Sequence, residues 1–293
     1  MTRWLIAGGG GQLASDLVRV LDAAGERDVV APDLHELDIT DPESVARAVA
    51  GRDVVINAAA YTNVDRAESD ENAAFRVNAT GAALLARACA AEGSRLLHVS
   101  TDYVFAGTAA APYPEDAPPD PRTAYGRTKA AGEWAVRAED PDAYVVRTSW
   151  VYGQTGANFV KTMARLERER ETLNVVDDQR GVPTWSRHLA QALVALAGRN
   201  PAAGLYHYTG GGETTWLEFA RAVFAELGAD PERVRPTTTA ALGLPAPRPA
   251  YSVLSADRWI SAGLPEPVHW RDALAEAFAS AGNELRGSGV ATA

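Results

Sequence analysis

Five short apolar runs, each followed by a longer amphipathic segment, are the feature that most restricts how this chain folds. They read RWLIA, DVVA, DVVINA, RLLHVS and AYVVRTS, and they occupy residues 3–7, 28–31, 53–58, 95–100 and 143–149. Continuous apolar runs of this length are typical of strands buried on both faces, and the segments between them have helical periodicity. The alternation predicts an α/β fold, with a Rossmann-type doubly wound parallel sheet covered by helices on both faces.

The pattern changes after about residue 150, where segments shorten and proline and glycine become frequent. We therefore predict a dinucleotide-binding domain at 1–150, with a returning segment near 186–199. A smaller mixed α/β substrate-binding domain, interleaved with the first, is expected at 151–285. Residues 286–293 are expected to form a frayed tail.

Composition excludes several classes of partner. The chain has 293 residues and a formal net charge of −10, with no basic run, so we expect no nucleic-acid partner. No stretch of 18 uncharged apolar residues occurs, so no membrane-spanning helix is expected. The glycine loop at 8–11 leaves no room for a signal peptide, which predicts a cytoplasmic protein.

Cysteine and histidine usage gives little sign of metal or redox chemistry. The single cysteine, Cys89, excludes an internal disulfide and is expected to be a small core residue. No pair among the five histidines has helical metal-ligand spacing, so no metal site is predicted, although distant histidines can still converge in a fold.

The sequence LIAGGGGQLASDLVRVL places four glycines between a predicted strand and a predicted helix. Gly8, Gly11 and Ala14 follow a G-x-x-G-x-x-G/A spacing. Such a loop lets a pyrophosphate approach the backbone and meet the N-terminus of the helix, which predicts dinucleotide binding. The alternative is a tight turn without a ligand.

Two aspartates near the second strand are candidates for the ribose of that dinucleotide. Asp33 lies 22 residues after Gly11, where an acid holds a ribose 2′-hydroxyl and favours NADH. Asp38 is the alternative, and either carboxylate could instead cap a helix or face solvent. No arginine stands where a 2′-phosphate would need one.

Tyr125 and Lys129 lie four residues apart, on one face of a predicted helix. A nearby ammonium lowers the pKa of a phenol, which would let Tyr125 donate a proton to a carbonyl oxygen near neutral pH. A surface Tyr–Lys pair is the alternative. Thr101, at the end of the fourth predicted strand, offers a hydroxyl at the sheet edge where ligands bind.

The glycine loop, the hydroxyl after strand four and Tyr-x-x-x-Lys together resemble the extended short-chain dehydrogenase/reductase superfamily. The chain is most similar to one branch, the dTDP-4-dehydrorhamnose reductases and related nucleotide-sugar 4-ketoreductases. The matching stretches run from about residue 4 to 260, and they include GGGGQLA, VINAAAYTNVDRAE, VSTDYVFAG, YGRTKAAGE, RTSWVYG, DDQRGVPT and RPAYSVL.

The resemblance implies a role for each matching residue. Tyr125 is the general acid, Lys129 lowers its pKa and holds the nicotinamide ribose, and Thr101 hydrogen-bonds the substrate carbonyl. The implied cofactor-binding residues are Gly8, Gly11, Gln12, Leu13, Asp38, Ile39, Ala59, Ala60, Tyr61 and Thr62, together with Tyr125 and Lys129. The implied substrate-binding residues are Thr101, Asp102, Tyr103, Trp150 and Arg248. Trp150 could also be a core aromatic, and Arg248 a loop residue at the surface.

The chain also departs from the family pattern. Ala14 replaces the usual third glycine. Some members dimerise through carboxylates that share a divalent ion. Asp16 and Glu276 supply two such acids here, but Arg187 occupies the third position and would repel a cation. We expect a monomer or a homodimer that does not depend on a metal.

The reaction implied is NADPH- or NADH-dependent reduction of the C4 ketone of a dTDP-4-keto-6-deoxysugar, dTDP-4-dehydro-L-rhamnose to dTDP-L-rhamnose. Sugar-nucleotide dehydratases need a second acid after the strand-four hydroxyl, and here Tyr103 follows Asp102. A 4-ketoreductase for another deoxysugar of antibiotic biosynthesis, of dihydrostreptose type, is the close alternative. A non-catalytic NADP-binding regulatory subunit is an alternative of another class.

Overall fold

A computed structural model describes residues 1–287 of the chain. The strands, β1 to β12 in chain order, are Arg3–Ala7, Asp28–Val30, Val54–Asn57, Arg95–Thr101, Tyr144–Thr148, Val151–Tyr152, Leu173–Val176, Arg180–Gly181, Thr184–Trp185, Gly204–His207, Thr214–Thr215 and Val234–Thr237. The α-helices, α1 to α12, are Gln12–Ala23, Pro42–Val49, Val64–Ala67, Glu71–Phe75, Ala82–Glu92, Ala124–Glu139, Phe159–Glu169, Ser186–Arg199, Trp216–Glu226, Thr239–Leu242, Asp257–Ser261 and Trp270–Leu285. A π-helical turn at Arg76–Gly81 leads into α5, and 3₁₀ turns occupy Asp102–Val104 and Pro231–Arg233.

The central sheet has six parallel strands in the order β10-β5-β4-β3-β1-β2. Strands β1 to β5 are the five strands predicted from the apolar runs, so the predicted fold class is confirmed. Strand β10 was not predicted, because Gly204–His207 is short and ends in a polar residue. The strand order reverses direction between β1 and β3, and in open α/β sheets ligands bind at the carboxyl ends of the strands beside such a point.

Helices bury apolar side chains on both faces of this sheet. On one face, α1 and α8 pack through Leu17, Leu21, Leu189 and Leu193 against the strands. On the other face, α2 and α5 supply a second set that includes Val45, Leu85 and the buried Cys89. Helix α8 therefore brings the chain back to the first part of the fold after residue 185.

A separate apolar core fills the later part of the chain. It is built from α7, α9 and α12 around fully buried side chains such as Phe219 and Phe224, with Trp185 and Trp270 at its edges. Of the predicted tail, Arg286 and Gly287 are described, and the Arg286 guanidinium donates to the Glu226 carbonyl oxygen at 3.0 Å. The rest of that tail lies outside the described residues. Within 1–287, no helix is both long enough and apolar enough to cross a bilayer.

Helix α6 packs unusually close to the π-helical turn. A Cβ added to Gly132 would lie 2.1 Å from the Asn78 carbonyl oxygen, which is backbone and cannot rotate away. Gly132 therefore sets how closely α6, with Tyr125 and Lys129 on it, packs against the π-helical turn.

Gly132→Ala should lower the free energy of unfolding by about 1–3 kcal/mol, because the added methyl group forces α6 outward. The matched control is Gly198→Ala in α8, where an added Cβ meets nothing within 4 Å. This control should raise stability by roughly 0.5–1 kcal/mol, since alanine is the better helix former. Denaturant unfolding of both variants measures the difference, and equal stabilities would contradict the packing argument.

Candidate active site

The loop between β1 and α1 is held by contacts that only glycine allows. Gly8 has φ +92°, and a Cβ there would lie 2.9 Å from the Ala59 backbone. A Cβ on Gly9 would lie 1.8 Å from the Ala31 carbonyl oxygen. No side chain caps the first turn of α1, so its backbone N–H groups point toward the loop as an anion site.

A cavity of about 410 Å³ opens beside this loop at the carboxyl ends of β1 and β3. Seven of the predicted cofactor residues line it: Gly8, Gly11, Asp38, Ile39, Ala59, Ala60 and Tyr61. Gln12, Leu13, Thr62, Tyr125 and Lys129 do not line it. The Gln12 side-chain oxygen accepts a hydrogen bond from Asn158 at 2.9 Å. The Leu13 side chain is buried in the core, so Leu13 can face a ligand only through its backbone.

The structure separates the two candidate aspartates. Asp38 lines the cavity, and its carboxylate accepts hydrogen bonds from the Thr40 N–H and hydroxyl at 2.8 Å, which lower its pKa. The Asp33 carboxylate instead accepts from the backbone N–H groups of His35 and Glu36 and does not line the cavity. Asp33 therefore closes a turn, and Asp38 is the one of the two aspartates that lines the cavity.

Asn78, in the π-helical turn, was not predicted from the sequence. It is buried, and its side chain accepts from the Tyr61 N–H at 2.9 Å and donates to the Tyr61 carbonyl and the Thr128 hydroxyl. Asn78 thus joins the cavity wall to α6. Nothing in the spacing of the surrounding segment VNATG, residues 77–81, identified a bridging amide.

Tyr125 and Lys129 lie on α6 as predicted, but the expected effect of Lys129 on Tyr125 is wrong. Burial raises the pKa of Tyr125 to about 12, against a smaller lowering by the Thr101 hydroxyl. The Lys129 ammonium is buried and donates to the Val99 carbonyl oxygen at 2.7 Å, and burial lowers its pKa to about 8. The ammonium is thus bound to the backbone of β4, while desolvation dominates at the phenol.

The residues after β4 form a tight polar cluster beside Tyr125. Thr101 Oγ1 lies 3.0 Å from Asp102 Oδ1 and accepts from the Tyr103 N–H at 3.2 Å. The Tyr103 ring meets the Tyr125 ring edge to face, with centroids 5.5 Å apart. Burial raises the pKa of Asp102 to about 6 and that of Tyr103 above its usual range.

Trp150 stands where β5 ends, in a left-handed backbone conformation with φ +45°. Its ring stacks on Trp216, with centroids 3.6 Å apart, and Trp216 in turn contacts Phe159. Trp150 is partly buried and packs against the second apolar core. Because a left-handed tryptophan costs roughly 1–3 kcal/mol, the stacking must stabilise this conformation.

Arg248 is held in an ion pair. Its guanidinium donates to Asp65 Oδ2 at 2.7 Å and to the Ala246 carbonyl oxygen at 2.9 Å. Asp65 follows the segment NAAAYT, residues 57–62, which lines the cavity. Arg248 lies on the loop that leads to Tyr251, the bridge partner of Arg180 in β8. The ion pair therefore joins this loop to the dinucleotide-binding part of the chain. The guanidinium is mostly buried, and a substrate phosphate would have to share it with Asp65.

Each of the three residues considered for a metal shared between chains has other partners within this chain. Asp16 is buried and accepts from the Ser186 hydroxyl and from Arg19. Glu276 lies 3.0 Å from the His188 ring, and the Arg187 guanidinium stands over the Trp185 ring. In the described part of the chain, no three His, Cys, Asp or Glu residues form a group that could hold a metal ion.

The chain matches the family model described as RmlD substrate binding domain over residues 2–282. It is 52% identical to a dTDP-4-dehydrorhamnose reductase of Streptomyces griseus, with 94% of this chain and 93% of that protein covered. It is 51% identical to a protein of Streptomyces antibioticus named as a probable dTDP-4,6-dihydroxy-2-methyloxan-3-one 4-ketoreductase, with 94% of each covered.

Among solved structures, the chain is similar to dTDP-4-dehydrorhamnose reductase of Bacillus anthracis in complex with NADP. The TM-score is 0.91 at 36% identity, and the match covers 96% of this chain and all of that chain (100%).

Because Asp16 is buried and already hydrogen-bonded, we expect excess EDTA to change neither the oligomeric state nor the catalytic activity of the protein. Light scattering and an activity assay, each with and without chelator, measure the two properties separately. Dissociation of a dimer by EDTA and its recovery with magnesium would contradict this expectation.

Proposed function

Since the chain belongs to the RmlD substrate binding domain family, we propose that it reduces the C4 ketone of a dTDP-4-keto-6-deoxysugar with NADPH or NADH. The preferred substrate is dTDP-4-dehydro-L-rhamnose and the product is dTDP-L-rhamnose, in line with the relative from Streptomyces griseus. A cytoplasmic location remains a prediction, and so does the state of monomer or metal-independent dimer.

One observation supports this function above the others. The Tyr125 phenol, the Thr101 hydroxyl and the buried Lys129 ammonium lie around the carboxyl end of β4, and Tyr125 packs against the same apolar cluster as Tyr61, which lines the cavity. A proton donor, a second hydroxyl and a cation beside a dinucleotide cavity are what a ketoreductase needs.

The cavity fits a dinucleotide on the geometry of the chain itself. The glycine backbone and the uncapped N-terminus of α1 would hold the pyrophosphate, and Asp38 and Ile39 would flank the adenosine end. Lys129 would hold the nicotinamide ribose. When bound, the cofactor supplies the hydride.

The protein residues then act on the substrate oxygen. The Tyr125 hydroxyl donates its proton to the oxygen at C4 as negative charge develops there, and Thr101 hydrogen-bonds the same oxygen. A neutral phenol is the required form, and burial keeps Tyr125 protonated at neutral pH. Asp102, Tyr103 and Trp150 would face the sugar, and Arg248 the diphosphate.

A second substrate is supported by the Streptomyces antibioticus relative. Its sequence is 51% identical to this chain, against 52% for the Streptomyces griseus relative. The alternative is therefore a 4-ketoreductase for another dTDP-deoxysugar of antibiotic biosynthesis. A non-catalytic regulatory subunit has less support, since Thr101, Tyr125 and Lys129 are all present and close together.

The test is NADPH oxidation with dTDP-4-dehydro-L-rhamnose and with a dTDP-4-keto-6-deoxy-D-sugar, followed by NMR of each product. Turnover of the first sugar to dTDP-L-rhamnose supports the preferred substrate, and preferential turnover of the second supports the alternative. Cofactor binding without turnover of either sugar would favour the regulatory subunit.

Tyr125→Phe should lower kcat by about 10²–10⁴-fold, because the ring remains while the proton donor is lost. Fluorescence titration should show that NADPH still binds. The matched control is Tyr152→Phe, which removes a buried hydroxyl without a hydrogen-bond partner in the second core and should leave kcat unchanged. Near-normal turnover by Tyr125→Phe would refute the assignment.

Both cofactors should work, with a preference below about a hundredfold in kcat/KM, or roughly 2.7 kcal/mol at 1.36 kcal/mol per tenfold. The Asp38 carboxylate, which the Thr40 hydrogen bonds keep ionised, repels a 2′-phosphate, whereas the relative from Bacillus anthracis was crystallised with NADP, so we expect neither cofactor to be strongly preferred. Steady-state kinetics with NADH and NADPH measure the ratio. Asp38→Asn should shift it toward NADPH, and a preference beyond about a thousandfold in the wild type would be inconsistent with this geometry.

A further inference from the structure

The loop at residues 153–158, which leads from β6 into α7, lies against the start of α1. A Cβ added to Gly156 in this loop would lie 3.9 Å from the Cβ of Gln12. Asn158, the N-cap of α7, donates to the Gln12 side-chain oxygen at 2.9 Å, although the two residues are 146 positions apart. The later part of the chain therefore contacts the residue that opens α1, directly after the glycine loop.

The backbone fixes which way the Asn158 amide points. The Lys161 N–H, which can only donate, lies 3.1 Å from Asn158 Oδ1, and the Gly153 carbonyl oxygen, which can only accept, lies 2.7 Å from Asn158 Nδ2. An amide NH₂ group has two protons, and the second one is donated to Gln12. Both ends of the Asn158 amide are thus assigned, and the Gln12 atom that faces it must be Oε1.

Because Asn158 holds the oxygen of the Gln12 amide, the NH₂ group of that amide is left without a partner. Within residues 1–287 the bond from Asn158 is the only hydrogen bond of the Gln12 side chain, which is partly exposed. Gln12 is the first residue of α1, and helical side chains lean toward the N-terminus of their helix, here toward the glycine loop. The two amide protons are therefore available to an anion at that end of α1.

We propose that Asn158 is a positioning residue that keeps the NH₂ group of Gln12, rather than its oxygen, turned toward the pyrophosphate of the bound dinucleotide. The inference rests on the proposed dinucleotide cofactor. A glutamine amide has a donor end and an acceptor end, and only the donor end attracts a phosphate oxygen. Without Asn158 the amide is free to rotate and present Oε1, which repels phosphate oxygens.

The experiment titrates the protein with NADPH and follows the fluorescence of the nucleotide, with Asn158→Asp as the main variant. Aspartate caps a helix as well as asparagine does, so α7 should be kept. Both carboxylate oxygens accept, however, so Gln12 must turn its NH₂ group toward them and its oxygen toward the pyrophosphate. The Kd for NADPH should rise about ten- to a hundredfold, the loss expected when a hydrogen bond to a charged group disappears. Gln12→Ala, which also removes the donor, should raise it about tenfold.

A double variant shows whether Asn158 acts through Gln12. When Gln12→Ala is already present, adding Asn158→Asp should change the Kd for NADPH by less than about threefold, because no amide remains to be turned. If Asn158→Asp raises the Kd by the same factor with and without Gln12, the carboxylate acts on the nucleotide directly or through the loop, and the proposal is overturned.

Thr155→Asp is the matched control for the added charge. It places a carboxylate on the same loop, but the Thr155 hydroxyl accepts from the Arg19 guanidinium of α1 at 3.3 Å and does not contact Gln12. The Kd for NADPH should stay within about twofold of the wild-type value, since an exposed ion pair with Arg19 contributes little. A rise as large as that of Asn158→Asp would attribute the effect to loop charge and overturn the proposal.

A measurement on the wild type does not depend on the folding of any Asn158 variant. The side-chain NH₂ signals of Gln12, identified in ¹H–¹⁵N correlation spectra by their absence from Gln12→Ala, should shift when NADPH binds. Signals that stay in place at saturating NADPH would show that the Gln12 amide does not meet the nucleotide, and the proposal would fail.

These titrations need no sugar, so they separate this proposal from the proposed reaction. If NADPH binding responds to the variants as expected but no dTDP-sugar is reduced, the proposed reaction fails and the role of Asn158 stands. If a dTDP-sugar is reduced and Asn158→Asp binds NADPH with the wild-type Kd, this inference fails alone.

Discussion

A buried ion pair between α6 and the central sheet fixes the geometry on which the active site depends. The Arg147 guanidinium in β5 donates to both oxygens of Glu133, at 2.6 and 2.8 Å, and both side chains are at most 2% exposed. The Ser100 hydroxyl donates to the same carboxylate at 2.6 Å. Removing one partner of such a pair costs about 3–5 kcal/mol, because the other charge remains buried and uncompensated. One helical turn away, Lys129 is bound to β4, so the pair and the ammonium together set the position of Tyr125.

Burial gives this site its chemistry. Desolvation favours the neutral form of every group it affects, and so it raises the pKa of Tyr125 and Asp102 and lowers that of Lys129. A phenol that stays protonated suits a proton donor. The same burial strengthens the hydrogen bonds at Thr101, because a hydrogen bond is electrostatically stronger in the low dielectric of a protein interior.

The later part of the chain completes the site through contacts that are distant in sequence. The stacking of Trp150 on Trp216 stabilises a strained backbone conformation after the end of β5. The ion pair between Arg248 and Asp65 connects the loop that carries Arg248 to the segment that follows NAAAYT in the cavity wall. These contacts join segments of the chain that are more than sixty residues apart in sequence.

By itself, the sequence determined the doubly wound sheet, the glycine loop and the identity of Thr101, Tyr125 and Lys129, because these follow from apolar periodicity, backbone freedom and short motifs. Only the tertiary structure decided which aspartate reaches the cavity, that Asn78 joins the cavity wall to α6, and that Trp216 stacks on Trp150. It also decided that Arg248 is already paired and that Gly204–His207 extends the sheet. It also reversed the expected pKa shift of Tyr125. The physical reason is the same in each case: a motif specifies which groups are neighbours along the chain, whereas burial and long-range hydrogen bonds depend on which distant segments cover them.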